Sequence, residues 1–287
     1  MDKELQKLAK DFKLDIGQVI ADKSPGLKKV LPEFVINKLR KISHQDEVNN
    51  FINTYHNKEG IDFIQEMLRD MNTTIKTINL EKNVPVKDNV IVTANHPLGG
   101  LDGLALMLAI GRSVRRDIQF PVNDILTRIP NLKVLFIPVN KHGSNADNIR
   151  LFNETFEKDN IICYFPAGLV SRKQNGKIMD LEWKKTVISK ARRYKRDIIP
   201  TYVDGRNSNF FYNLALYRKK IGVKANVEMF FLASEFFKQR NQTLKFTFGK
   251  RIPYTVFDKR HRDNEWAELL KQHVYKLKDD PEAEFGF

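Results

Sequence analysis

The run Ile91-Val92-Thr93-Ala94-Asn95-His96-Pro97-Leu98-Gly99-Gly100-Leu101-Asp102-Gly103 sets a histidine and an aspartate on either side of a glycine pair. That combination suits proton transfer. A carboxylate near an imidazole fixes its tautomer and favours the protonated ring, while glycines admit positive φ or a close approach of backbone to ligand. His96 is a candidate general base and Asp102 its partner. The same residues have a plainer reading, with Asp102 as the N-cap of an apolar helix Leu104 to Ile110 and His96-Pro97 as a turn. From these residues alone both readings stand.

Other chemistries find less support. The six histidines, His44, His56, His96, His142, His261 and His273, lack ligand spacing with thiols or carboxylates, so no metal is expected. His142 reads as a loop residue at the mouth of a pocket. No Gly-x-Ser-x-Gly elbow occurs, which removes the usual serine hydrolase signature. The single cysteine, Cys163, lies in the apolar run Ile161 to Phe165 and reads as a small core residue in a chain without a disulfide framework.

The elements that must position the histidine follow from periodicity. Up to about residue 72 the pattern is helical, with a break at Ser24-Pro25-Gly26. Leu27, Leu31, Phe34, Val35, Leu39 and Ile42 form a stripe on a basic helix Leu27 to Ile42, with Pro32 in its first turns. Such a helix suits either its own domain's core or a membrane interface. A further helical stretch, Glu47 to Leu68, is interrupted at Gly60. Then the period changes. Short β-rich runs occur at Thr74 to Leu80, Val90 to Ala94, Ile118 to Val122, Val134 to Val139, Ile161 to Phe165, Ile198 to Val203 and Thr243 to Gly249. Strands alternating with helices predict an α/β fold, a central sheet covered by helices on both faces, with ligands at strand ends. The expected organisation is an N-terminal helical segment over residues 1–72, an α/β domain over 73–260, and a C-terminal segment over 261–287 with a surface helix from Trp266 to Leu277.

The 287 residues carry 49 Lys and Arg against 35 Asp and Glu, a net charge of +14. The excess is concentrated in residues 171–220, where fourteen basic residues face four acidic ones, a local +10. Nucleic acid, an anionic membrane, a phosphorylated substrate or an acidic carrier protein would each be attracted, and a solvated face needs no partner at all. Residues 209–240 interleave Phe210, Phe211, Tyr212, Tyr217, Phe230, Phe231, Phe236 and Phe237 with basic residues. This suits a membrane interface or a nucleic-acid groove, and equally core aromatics among solvated lysines. Zinc spacing, an RNP-like run and a helix-turn-helix signature are all missing, so nucleic acid is not an expected partner. No apolar run approaches the roughly 18 residues of a membrane span, and the start of the chain lacks a signal-peptide pattern.

Three more strand ends complete a pattern. Val134 to Asn140 ends at Lys141, Ile162 to Pro166 runs through Ala167-Gly168-Leu169-Val170-Ser171 to Arg172, and Ile198 to Val203 follows a basic helix. In this order after Asn95-His96 and Asp102, they resemble the four blocks of the glycerolipid acyltransferases, the PlsC-like lysophosphatidic acid acyltransferase superfamily. The likeness is greatest to its bacterial hemolysin-like branch, which includes O-acyltransferases of aminolipid synthesis, and it spans roughly residues 75–255. Leu31-Pro32-Glu33-Phe34 and His44-Gln45-Asp46-Glu47 also resemble that branch.

The resemblance implies a His96-Asp102 dyad that activates an acceptor hydroxyl for attack on an acyl thioester. Acyl carrier protein or coenzyme A would be the donor and a lysolipid the acceptor, at an anionic membrane surface on the inner face of the cell membrane; no cofactor is implied. It further implies that Asn95, Gly99, Gly100, Lys141, Pro166, Gly168 and Arg172 contribute to the substrate site, with oxyanion donors among the backbone N–H groups of Gly99, Gly100 or Gly168. Two departures stand out. The usual His-x4-Asp spacing is His-x5-Asp, which requires a bulge that Gly99-Gly100 can absorb. The usual Pro-Glu-Gly-Thr-Arg block has Ala167 in place of its glutamate, so an acceptor carrying its own carboxylate is expected over lysophosphatidic acid. The competing expectation is a non-catalytic lipid-binding or membrane-perturbing protein.

Overall fold

The computed structural model describes residues 3–23, 25–122, 126–138, 146–222 and 226–286. Nine strands are present among them: β1 (Thr74–Ile78), β2 (Val90–Ala94), β3 (Ile118–Val122), β4 (Phe136–Pro138), β5 (Ile161–Tyr164), β6 (Arg172–Gln174), β7 (Lys177–Met179), β8 (Asp197–Asp204) and β9 (Thr243–Phe248). Seven form one sheet in the order β1-β9-β8-β2-β5-β3-β4, parallel throughout except for the antiparallel β8-β9 pair. All seven anticipated runs enter it. β6 and β7 form a separate hairpin whose turn, Asn175-Gly176, takes φ of 48° and 81°, as a two-residue hairpin turn requires.

Side-chain alternation divides the central strands between two cores. Val90, Val92 and Ala94 of β2, Ile161 and Cys163 of β5, and Ile199 and Val203 of β8 face one core, which the helices Gly60–Asp70 and Gly100–Ser113 cover. Ile91, Ile162, Ile198 and Tyr202 face the other, under the helices Thr186–Tyr194 and Asp263–Lys276. Cys163 is fully buried, and burial pushes its thiol well above the ordinary range. With both faces buried, β2, β5 and β8 read as near-continuous apolar runs.

Four sequence expectations change in detail. The single helix Leu27 to Ile42 is two, Pro25–Val30 and Glu33–Ile42, because Pro32 takes extended angles (φ −62°, ψ 147°) and disfavours the helical conformation for Leu31. The stretch Glu47 to Leu68 is also two helices, Gln45–Thr54 and Gly60–Asp70, the second starting at Gly60 with φ of 56°. Val134 belongs to the 3-10 helix Pro130–Leu135, so β4 starts at Phe136. The C-terminal helix is no surface helix: Trp266, Ala267, Leu270 and Val274 are fully buried in the second core.

Candidate active site

β2 stands between β5 and β8, with Thr93 in register with Tyr164 and Pro200. The segments leaving the carboxyl ends of these strands therefore meet, at the edge where open α/β sheets bind ligands. His96 follows β2 by two residues. Its Nδ1 lies 3.0 Å from Oδ1 of Asp102, and its side chain is 16% exposed while that of Asp102 is fully buried. Asp102 is itself pinned by the backbone N–H groups of Leu98 (2.8 Å, to Oδ2) and Gly103 (2.9 Å, to Oδ1). Two N–H donors fix this carboxylate as an acceptor, so the imidazole presents Nδ1–H to it and leaves the Nε2 lone pair for another proton. Phe165 stacks against the ring, centroid to centroid 4.2 Å at 25°.

The glycine pair accounts for the extra residue between His96 and Asp102. Gly99 adopts φ 82° and ψ −135°, and the helix begins at Gly100, so Asp102 lies in its first turn rather than capping a helix that starts at Leu104. From there it reaches back past the N-cap Gly99 to the Leu98 N–H. Gly99 is buried; a Cβ on it would meet Leu232 at 3.3 Å and Val170 at 3.4 Å. Gly100 is exposed, with open space around it.

A second carboxylate secures the histidine from behind. Asp180 is fully buried; its Oδ1 accepts the His96 backbone N–H (3.1 Å) and the Ser171 hydroxyl (2.6 Å), and its Oδ2 accepts Trp183 Nε1–H (2.8 Å). Burial raises its carboxyl above the usual range, against the pull of these donors. The Ser171 N–H closes the circuit on the His96 carbonyl at 2.8 Å. The Asp180 N–H in turn donates to the hydroxyl of Tyr275 on the C-terminal helix. Ser171, Asp180 and Phe165 were not among the residues the sequence singled out.

Several anticipated substrate contacts are engaged elsewhere. The Asn95 amide is consumed by β8: Nδ2 donates to the Val203 carbonyl (2.9 Å) and Oδ1 accepts the Val203 N–H (2.7 Å), so it clamps two strands rather than reaching a ligand. Arg172 is buried, donating to Glu228 Oε1 (2.9 Å) and the Val170 carbonyl (2.6 Å), with its guanidinium 5.1 Å from the Phe211 ring centre. Burial lowers its proton affinity, and Glu228 opposes this. Glu228 also accepts from Arg218 at 2.7 Å, so two arginines share one carboxylate. Gly168 takes φ 63° in a turn, its N–H donating to the Phe165 carbonyl (3.0 Å), which leaves Gly99 and Gly100 as the remaining oxyanion candidates. Pro166 lends its carbonyl to the Lys184 N–H. Ala167 is buried in the second core, so its methyl serves packing. Lys141 and His142 lie outside the described residues.

The geometry is that of a histidine and a carboxylate held together at the edge of an α/β sheet, and comparison with known proteins gives the chain a class. Residues 18–284 match the acyltransferase family, and the chain belongs to it. A lyso-glycine lipid O-acyltransferase of Bacteroides thetaiotaomicron is 42% identical over 267 residues, covering 93% of this chain and 98% of its own. Another of that name, from Phocaeicola vulgatus, is 41% identical over 280 residues, covering 96% and 100%. The enzyme is thus an O-acyltransferase of the family that holds these relatives. The solved 1-acyl-sn-glycerophosphate acyltransferase PlsC of Thermotoga maritima overlaps 96% of this chain and 93% of its own, at a TM-score of 0.45 and 16% identity.

Proposed function

We propose that this enzyme transfers a fatty acyl chain from an acyl carrier protein or coenzyme A thioester to the hydroxyl of a lyso-aminolipid, with a lyso-glycine lipid as the leading acceptor and lysophosphatidic acid the lesser one. The observation that carries the reading is the 3.0 Å contact between His96 Nδ1 and a carboxylate locked by two backbone donors. The names of the two relatives support the acceptor.

In this mechanism His96 Nε2 takes the proton of the acceptor hydroxyl as its oxygen attacks the thioester carbonyl. The C–O bond forms, the carbonyl oxygen becomes an oxyanion, and collapse expels the thiolate, which recovers the proton from Nε2–H. Asp102 stabilises the transient imidazolium. A placed base of this kind contributes about 10² to 10⁴ in rate. The first N–H groups of the helix Gly100–Ser113 have no carbonyl of an earlier turn to bond, which makes Gly99 and Gly100 suitable oxyanion donors. The acyl thioester is a co-substrate already activated for transfer, and the scheme calls on no cofactor.

The net +14 charge suits an acidic carrier, a phosphorylated donor and an anionic leaflet alike. Among the described residues no helix is long and apolar enough to cross a membrane, and the enzyme in this reading works peripherally on the inner face of the cell membrane. The test is transfer from labelled acyl carrier protein and acyl coenzyme A to lyso-glycine lipid, lyso-ornithine lipid and lysophosphatidic acid, comparing wild type with His96→Ala. Transfer to a lyso-aminolipid that disappears in the variant is expected. Full activity in His96→Ala would remove the base assignment, and vesicle binding without transfer to any acceptor would make this a lipid-binding protein.

A further inference from the structure

The helix Asn209–Lys220 is apolar on two faces. Phe211 and Ala215 point inward and are buried, with Arg218 one turn further on pairing with Glu228. Phe210, Leu214, Tyr217 and Ile221 recur at i, i+4, i+7 and i+11, a second stripe at helical spacing. Most of this stripe faces water: Phe210 is 52% exposed, Tyr217 70% and the C-cap Ile221 69%, with Leu214 half-buried between them, and Phe230, on the 3-10 turn Val227–Phe231 packed beside the helix, is 44% exposed. Isolated exposed apolar residues are ordinary, but an ordered row of large ones on a single helix calls for a partner. Lys219 and Lys220 are exposed at the end of the same helix.

We infer that this face is the docking surface through which the enzyme lies on an anionic bilayer, an inference that rests on the lysolipid reading above. Two features favour a bilayer over a second copy of the chain or a protein partner. Aromatic and aliphatic side chains beside lysines match a leaflet with negative headgroups over an apolar layer. The face is also continuous with the active site, because Leu232, directly after the 3-10 turn, packs over the position that a Cβ on Gly99 would occupy. The Arg172-Glu228-Arg218 cluster further ties helix and turn to the strand that starts one residue after Ser171. An acceptor and product with acyl chains would thus pass between leaflet and base over a short path.

The experiment is cosedimentation of the full chain with phosphatidylcholine vesicles, with and without phosphatidylglycerol, alongside transfer assays on a vesicle-borne and on a short-chain, water-soluble acceptor. The double variant Tyr217→Ser/Ile221→Ser alters only exposed side chains, so its melting temperature should match wild type. Its vesicle binding should fall by about tenfold or more, with vesicle-acceptor transfer falling in step and soluble-acceptor transfer retained. Lys219→Glu/Lys220→Glu should lose the preference for phosphatidylglycerol. Unchanged vesicle binding in the serine variant would overturn the inference, as would a wild-type dimer that the variant converts to monomer. Vesicle binding that depends on these residues, without transfer to any acceptor, would support the docking face and overturn the acyl-transfer reading.

Discussion

The backbone N–H of His96 donates to Oδ1 of Asp180 at 3.1 Å across 84 residues of sequence. The histidine is thereby held at two points by two buried carboxylates: Asp102 takes its ring and Asp180 its main chain. An imidazole fixed at the ring alone can still pivot about its backbone; fixed at both, it keeps Nε2 directed at one place, which is what the proposed general base requires.

Asp180→Asn tests the second point. Three donors converge on the carboxylate, and an amide offers one accepting oxygen, so the His96 N–H or the Trp183 Nε1–H loses its partner. The expected cost is about 1–3 kcal/mol, a fall of roughly 2–8 °C in Tm, with kcat reduced about ten- to a hundredfold as His96 moves. Calorimetry and steady-state kinetics check this; a variant with wild-type kcat would show that Asp180 supports folding only.

Asp102→Asn should cost about 1–3 kcal/mol of stability, because in either orientation the amide NH2 opposes the N–H of Leu98 or of Gly103, and should leave KM nearly unchanged while reducing kcat by about 10³- to 10⁴-fold. If the amide oxygen accepts from Leu98, its NH2 faces Nδ1, which must then accept and leave the proton on Nε2, where a base is needed. Single-turnover rates on the wild type and the variant decide it.

Gly99→Ala and Gly100→Ala should differ sharply although the residues are neighbours. At Gly99 the angles φ 82° and ψ −135° exclude an L side chain at low energy, and the new methyl meets Leu232 and Val170. A loss of about 1–3 kcal/mol and of most activity is expected. Gly100 is in the first helical turn with nothing within 4 Å of a Cβ, so alanine there should be neutral or slightly stabilising. Thermal melts of both variants give the comparison.

Glu228→Gln should destabilise by about 3–5 kcal/mol, since it leaves the buried guanidinium groups of Arg172 and Arg218 without a compensating charge. The triple variant Arg172→Met/Glu228→Leu/Arg218→Met should recover much of that loss. If it also keeps the wild-type KM for the acceptor, Arg172 is a scaffold residue; a rise in KM with recovered stability would return it to the substrate site. Denaturant unfolding and initial rates provide both readings.

The contrast between Asp102 and Asp180 shows where the sequence is legible. Asp102 shares a strand-loop-helix unit with His96, so spacing alone brings them together, and the seven apolar runs that form the sheet announce themselves by their β-branched residues. Asp180 reaches His96 only because β5 and β2 are adjacent in the sheet and the β6-β7 hairpin turns the chain back, which no local pattern encodes. The engagement of Asn95 by β8 and of Arg172 by Glu228 is illegible for a related reason: a polar residue at a strand end satisfies a neighbouring strand or a distant helix as readily as a ligand, and residue type does not distinguish them. The Asn175-Gly176 pair is a local hairpin signal, but its three-residue flanks Arg172–Gln174 and Lys177–Met179 lack the apolar alternation that marks a strand. In residues 209–240 the sequence is compatible with an interface or a core, and the helix Asn209–Lys220 buries Phe211 and Ala215 while leaving Phe210 and Tyr217 exposed.

The C-terminal helix carries a pH dependence of its own. His273 is 6% exposed, its Nε2 is buried without a hydrogen-bond partner among the described residues, and burial pushes its pKa down to about 4, with Lys276 adding to the effect and Asp280 opposing it. In the unfolded chain the ring titrates near 6.5. Between pH 6.5 and 4 the unfolded state therefore binds a proton that the folded state refuses, so stability falls as pH drops through that window and this contribution levels off below about 4. The expected penalty is about 3 kcal/mol by pH 4. His273→Leu keeps the ring's neighbours, among them Phe285 at 5.3 Å, in an apolar setting and removes the titration. Melts at intervals from pH 7 to pH 4 should show the variant losing less stability than wild type by that amount, with the difference confined to the window; parallel curves would mean that the folded protein accepts the proton without cost.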